Sequence, residues 1–138
     1  MKQLTKTTHT LFLLVIAFIF TQQANAQKQQ IFGFSHSANH EEKVMYVSDI
    51  LKSPMNDNKI YSETHSNTVS KQWKQKLKTL VPGKEDTYDT FVIGFVNHYS
   101  SFEKIEKSRN EKIADYEKYD YTIHYVNLKD FNFTPSKL

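Results

Sequence analysis

The chain contains no cysteine, so it carries no disulfide framework, no thiolate zinc site, no thiol nucleophile and no lipid-bearing cysteine. Glycine is nearly as scarce, at three residues. Gly33, Gly83 and Gly94 are too dispersed to build a phosphate-cradling loop, and no Gly-x-Ser-x-Gly nucleophile elbow occurs. Charge of one sign is also missing. The formal net charge of +3 includes Lys2 and Lys6, and without them 16 basic residues face 15 acidic ones. That balance offers no clustered positive footprint for nucleic acid.

The apolar run "LFLLVIAFIF" (Leu11–Phe20) is shorter than the roughly 20 residues that span a bilayer. It follows two lysines and precedes "ANA" (Ala24–Ala26), with small residues at −3 and −1 of a cleavage point before Gln27. Residues 1–26 therefore read as a secretory signal, and the expected location is periplasmic or secreted, with no membrane span after cleavage. Removing 26 residues from 138 leaves 112, enough for one domain with a single modest core.

Residues 27–42, "QKQQIFGFSHSANHEE", are polar apart from "IFGF". They read as a flexible lead-in that lends at most one short strand, with the domain proper over 43–138. "KVMYVSDI" is β-branched and aromatic, a strand signal. Pro54 and the Asn/Asp cluster after it mark a turn, and "IYSETH" is a candidate second short strand. Val69, Trp73, Leu77, Leu80 and Val81 then recur at three- and four-residue intervals, a helix that Ser66 or Asn67 can cap and Pro82-Gly83 ends. "DTFVIGFVNH" is apolar on both parities, as a central strand covered on both faces would be. Ser100 and Glu103 form a capping box for a second helix, whose stripe is Phe102, Ile105, Ile113 and Tyr116. "YTIHYVNL" closes the series as a strand, followed by an aromatic tail. The expected fold is α+β: a two-layer sandwich with two helices on one face of a three- to five-stranded sheet, ferredoxin-like or βαβαβ.

Candidates for chemistry are few. His36 and His40 lie four apart, a chelating spacing on a helix, and Glu41 or Glu42 can supply a third metal ligand. The segment has no apolar stripe and does not follow the His-Glu-x-x-His order of zinc hydrolases, so a solvated linker is the competing account. His98 and His124 can meet on a sheet face, with Asp89 or Glu103 as an acid partner. Arg109 falls on the apolar stripe of the second helix, where it either lays its stem on the core or aims a fixed cation at an anion. No catalytic residue and no cofactor are assigned. Tyr46, Tyr121, Tyr125, Phe131 and Phe133 include residues that strand alternation sends to the sheet face away from the helices. Such a face, unless the tail or "IFGF" covers it, is a recognition surface for sugars or peptides.

"FVIGFVNHYSSFEKIEKSRNEKIADYEKYDYTIHYV", residues 91–126, resembles part of a SPOR domain: a strand ending in Gly-Phe, a Ser-capped turn, a charged helix and a Tyr-rich strand. The resemblance implies a periplasmic ferredoxin-like fold binding peptidoglycan glycan strands on its sheet face. The expected function is a small non-enzymatic binding module for a cell-envelope glycan or protein, through Tyr46, Arg109, Tyr121, His124 and Tyr125. The alternative is a metal-dependent or acid–base enzyme using His36, His40 and Glu41.

Overall fold

In the computed structural model, residues 30–54, 63–95 and 100–133 are described. The elements run β1 (Gln30–Asn39), β2 (Val44–Ser48), β3 (Leu51–Pro54), α1 (Glu63–Leu80), β4 (Asp89–Gly94), α2 (Phe102–Lys118) and β5 (Thr122–Val126). A short 3₁₀ turn at Glu85–Thr87 leads into β4. The fold is α+β, a mixed five-stranded sheet with both helices packed on it. The signal segment lies outside the described residues, as do the Asn/Asp cluster after Pro54 and His98.

The central strand is β1. One of its edges pairs antiparallel with β4, the other with β2 and then β3, and β2 pairs in parallel with β5. This corrects the sequence reading in two places. Residues 30–39 of the expected lead-in are the most enclosed strand of the sheet, and β4, expected at the centre, pairs with β1 alone among the described strands. The reason is visible in the side chains. Alternation sends Ile31, Gly33, Ser35 and Ser37 to one face, where small groups leave room for the Trp73 ring, and Ser37 Oγ accepts its indole N–H at 2.8 Å. Ser37 also bonds Thr90 Oγ1 at 2.8 Å. The buried Ser37 hydroxyl is thus satisfied by residues far away in the chain, which no local pattern announces.

The layering also differs from expectation. Val69, Trp73 and Leu77 of α1 pack with Ile31, Leu51, Phe95, Val126, Phe131 and Phe133, whereas Ile105 and Ile113 of α2 pack with Phe34, Met45 and Val47. Strand alternation puts these two clusters on opposite faces of the sheet, giving three layers in place of two. Crossover direction is the cause. The first crossover passes over β1 to reach β4, and the second returns across β1 and β2 to β5. Crossovers of one hand that run in opposite directions must use opposite faces. The tail completes the α1 side, with Phe131 edge-on to Trp73 and Phe133 tilted on Phe95. Each face carries a helix, while at β5 His124 stays exposed on the α1 side and Tyr125 on the α2 side.

Smaller corrections follow local chemistry. α1 starts at Glu63, so Ser66 and Asn67 sit within the helix and the end of "IYSETH" is helical. The N-cap of α2 is Ser101, one residue later than expected, with Lys104 N–H donating to its hydroxyl. Phe102 of the expected stripe stays 42% exposed, its ring edge-on to Phe32.

Between the two registers of β1 is a bulge. His36 faces Val47 but Gly33 faces Leu51, so Phe34 and Ser35 oppose Ser48, Asp49 and Ile50. Its polar groups are claimed individually: Ser35 N–H donates to Ser48 Oγ at 2.9 Å, and the Ser48 carbonyl accepts from Arg109 Nε at 2.7 Å. The Arg109 guanidinium holds the bulge, with Asp49 Oδ1 3.7 Å from Nη2 and the Tyr125 ring 5.7 Å from the guanidinium carbon.

Candidate ligand-binding cleft

The end of α2 carries the sequence Tyr116-Glu-Lys-Tyr119-Asp120-Tyr121, and its geometry follows from how the helix stops. Asp120 adopts a left-handed φ of 64°. Its N–H reaches the Glu117 carbonyl at 3.0 Å and the Tyr121 N–H reaches Tyr116 at 3.2 Å. This is the Schellman pattern, which brings the residue after the turn against the last helical turn. The two side chains so joined are Tyr121 and Tyr116, ring centroids 4.8 Å apart and nearly perpendicular.

Opposite them is the β1–β2 turn. Asn39 Oδ1 accepts the N–H groups of Glu41 and Glu42, at 3.0 and 2.8 Å, and so winds the turn tightly. His40 is thereby projected between Tyr116 and Tyr121. Its ring stacks on Tyr116 at 6.5 Å, its Nδ1 lies 2.6 Å from the Tyr121 hydroxyl, and its Nε2 lies 3.3 Å from Asp89 Oδ2 at the start of β4. A carboxylate only accepts, so the neutral imidazole carries its proton on Nε2 toward Asp89, and Nδ1 accepts the Tyr121 hydroxyl. Lys43 donates to the Tyr119 carbonyl at 3.1 Å, tying the turn to the negative end of α2.

His40, Lys43, Asp115, Tyr116, Tyr119 and Tyr121 together line a cleft of about 470 Å³. Burial, then the charges of Tyr121 and Asp89, push the Tyr116 phenol above its ordinary value, so it stays protonated at neutral pH. The cleft is a set of phenol faces and edges with one carboxylate, one ammonium and one imidazole at its rim. That mixture suits a polar ring with hydroxyl groups.

Of the residues expected to bind, Tyr121 lies here, where it meets His40, expected as a metal ligand. Tyr46 and His124 stack on each other at 4.8 Å on the α1 side of the sheet, with Tyr88 edge-on to Tyr46. Arg109 and Tyr125 lie on the α2 side beside the bulge, Tyr125 being 58% exposed. Glu41 is exposed in the turn.

His36 does not join His40. In a strand, four residues span about 13 Å, and Tyr116 lies between the two rings, 5.9 Å from His36 and 6.5 Å from His40. His36 is 3% exposed within Phe34, Phe91 and Tyr116, and its Nδ1 has no hydrogen-bond partner among the described residues. Burial, and secondarily the Lys112 charge, lower its pKa from 6.5 to about 4. Among the described residues no group of three His, Asp or Glu side chains could hold a metal ion.

Sequence reasoning missed Lys43, Asp89 as the partner of His40, Asp115, Tyr116 as a cleft wall and Tyr119. The available signal was Tyr-x-x-Tyr-Asp-Tyr at a helix end, where an Asp in the left-handed position folds the last tyrosine back on the first. No protein-family model matches the chain, and no curated protein or solved structure matches it either. No described helix is long and apolar enough to cross a membrane.

Proposed function

We propose that the chain is a small secreted or periplasmic binding module whose ligand is a cell-envelope glycan, held in the cleft at the end of α2. The observation that carries this reading is the convergence of Tyr116, Tyr119, Tyr121 and His40 on one cleft of about 470 Å³, the size of a few sugar rings. Phenol rings stack on sugar faces with little conformational cost, and Asp115, Lys43 and His40 offer acceptors and donors for hydroxyl groups. The partner class is the one that the SPOR resemblance of residues 91–126 implies. The surface is different, because both sheet faces carry a helix.

Co-sedimentation with purified peptidoglycan sacculi tests it. The processed protein should pellet with the sacculi, Tyr119→Ala should lower the bound fraction at least fivefold, and Tyr125→Ala, at the other end of β5, should not. Equal pelleting of all three, or none by the unaltered protein, refutes the reading. Loss only in Tyr125→Ala would move the site to the Arg109 side.

A further inference from the structure

The same cleft contains an arrangement that binding alone does not use. Tyr121 Oη lies 2.6 Å from His40 Nδ1, and the other imidazole nitrogen lies 3.3 Å from Asp89 Oδ2. A hydroxyl, a base and a carboxylate that orients the base, each within reach of the next, is the general signature of an activated nucleophile. These three residues come from β5's lead-in, the β1–β2 turn and the first residue of β4. Only the tertiary fold assembles them.

We propose that Tyr121 is the nucleophile of an acyl-transfer site, with His40 as general base and Asp89 as its positioning residue, acting on carboxylic esters of sugar hydroxyls. The choice of a sugar ester rests on the glycan reading above; the activated phenol does not. Tyr121 Oη attacks the ester carbonyl carbon while its proton passes to His40 Nδ1, and Asp89 stabilises the imidazolium that forms. Lys43, the ammonium of the cleft, favours the negative charge on the carbonyl oxygen in the tetrahedral species. Collapse breaks the bond to the sugar oxygen, which takes the proton back from His40, and leaves an acyl ester on Tyr121. Water then enters at the exposed side of His40, loses a proton to it and releases the carboxylic acid, and Tyr121 recovers its proton. One water is consumed and no redox change occurs.

The phenol faces of Tyr116 and Tyr119 serve to hold the sugar ring, and the hydroxyl of Tyr121 is the group at the reacting end. His40 is half exposed, which gives the deacylating water a path. An imidazole buried like His36 would lack one.

The test uses the processed protein and 4-nitrophenyl acetate as the probe, following 4-nitrophenolate release and mapping acetyl groups by peptide mass spectrometry. The expected result is acetylation concentrated on Tyr121, lost in Tyr121→Phe. His40→Gln and Asp89→Asn should each lower the rate of acetylation roughly 100-fold, the usual worth of a positioned base, and Asp89→Glu should recover part of it. Tyr121→Phe removes only the hydroxyl, and an unchanged melting curve confirms that it folds. Acetyl groups spread equally over tyrosines and lysines, or a rate that survives Tyr121→Phe, overturns the proposal. If sacculi binding fails while Tyr121 is still acetylated, the glycan reading falls and the nucleophile stands. Binding without acetylation gives the reverse.

Discussion

His36 should make the protein lose stability in mild acid. The imidazole is held neutral among Phe34, Phe91 and Tyr116, with its pKa lowered from 6.5 to about 4 by burial first and Lys112 second. The unfolded chain binds a proton near pH 6.5 and the folded chain near pH 4, so between these values the unfolded state holds more protons. Stability is then complete above pH 6.5, declines as pH falls through the interval and levels off below about 4. At about 1.4 kcal/mol per tenfold difference in proton affinity, the full loss is about 3 kcal/mol, of which about 2 kcal/mol is spent by pH 5. For a domain of this size that corresponds to a melting temperature lower by roughly 10 °C at pH 5 than at pH 7.

The comparison that isolates His36 is His36→Phe. A phenyl ring suits the aromatic stack and removes the Nδ1 atom that has no partner, so stability at pH 7 should match or exceed that of the unaltered protein. Denaturant unfolding of both proteins at pH 7, 6, 5.5 and 5 provides the measurement. The unaltered protein should lose about 2 kcal/mol more than the variant between pH 7 and pH 5. Glu42 does not confuse the result. Its hydrogen bond and charge interaction with Lys84 lower its pKa below 4.5, so the stability it contributes is lost only as pH falls beneath that value. If both proteins lose the same stability down to pH 5, His36 is not the neutral buried imidazole described above.

The remaining predictions concern packing, the bulge and processing. Gly94 has a φ of 97°, and a Cβ there would lie 2.4 Å from the Phe32 carbonyl oxygen and 2.7 Å from the Gly33 Cα. Gly94→Ala should therefore cost at least about 3 kcal/mol in denaturant unfolding, since backbone must move. Arg109→Ala should destabilise by about 1.5–3 kcal/mol by leaving the Ser48 carbonyl without its charged donor. Arg109→Lys should recover little of that loss, because it lacks the planar Nε–H. Trp73→Phe keeps most of the apolar contact but removes the indole donor to Ser37 Oγ, and urea titration should show a loss of about 1–2 kcal/mol. N-terminal sequencing of protein recovered from the periplasm or medium should begin at Gln27, and a chain retaining Met1 would refute the signal reading.

The helices were legible because each buries its own stripe: Val69, Trp73 and Leu77 in α1, Ile105 and Ile113 in α2. β2 and β5 were legible for a similar reason, being rich in β-branched and aromatic residues. β1 was not, since Ser35, His36, Ser37 and Asn39 read as solvated linker until Trp73, Thr87 and Thr90 are brought to them. Arg109 stood out correctly as an anomaly on an apolar stripe. What it anchors, the Ser48 carbonyl at a bulge, depends on a register that no single strand encodes.

Composition and periodicity alone set the class of fold, α+β with two amphipathic helices and several strands, because those features are local and repeat within a few residues. Tertiary structure decided the rest. It placed the helices on opposite faces, since the direction of a crossover depends on which strands are neighbours. It also separated His36 from His40. Extended backbone carries residues four apart away from each other, while the stop of α2 and the Asn39 turn bring Tyr121, 81 positions along the chain, to within 2.6 Å of His40.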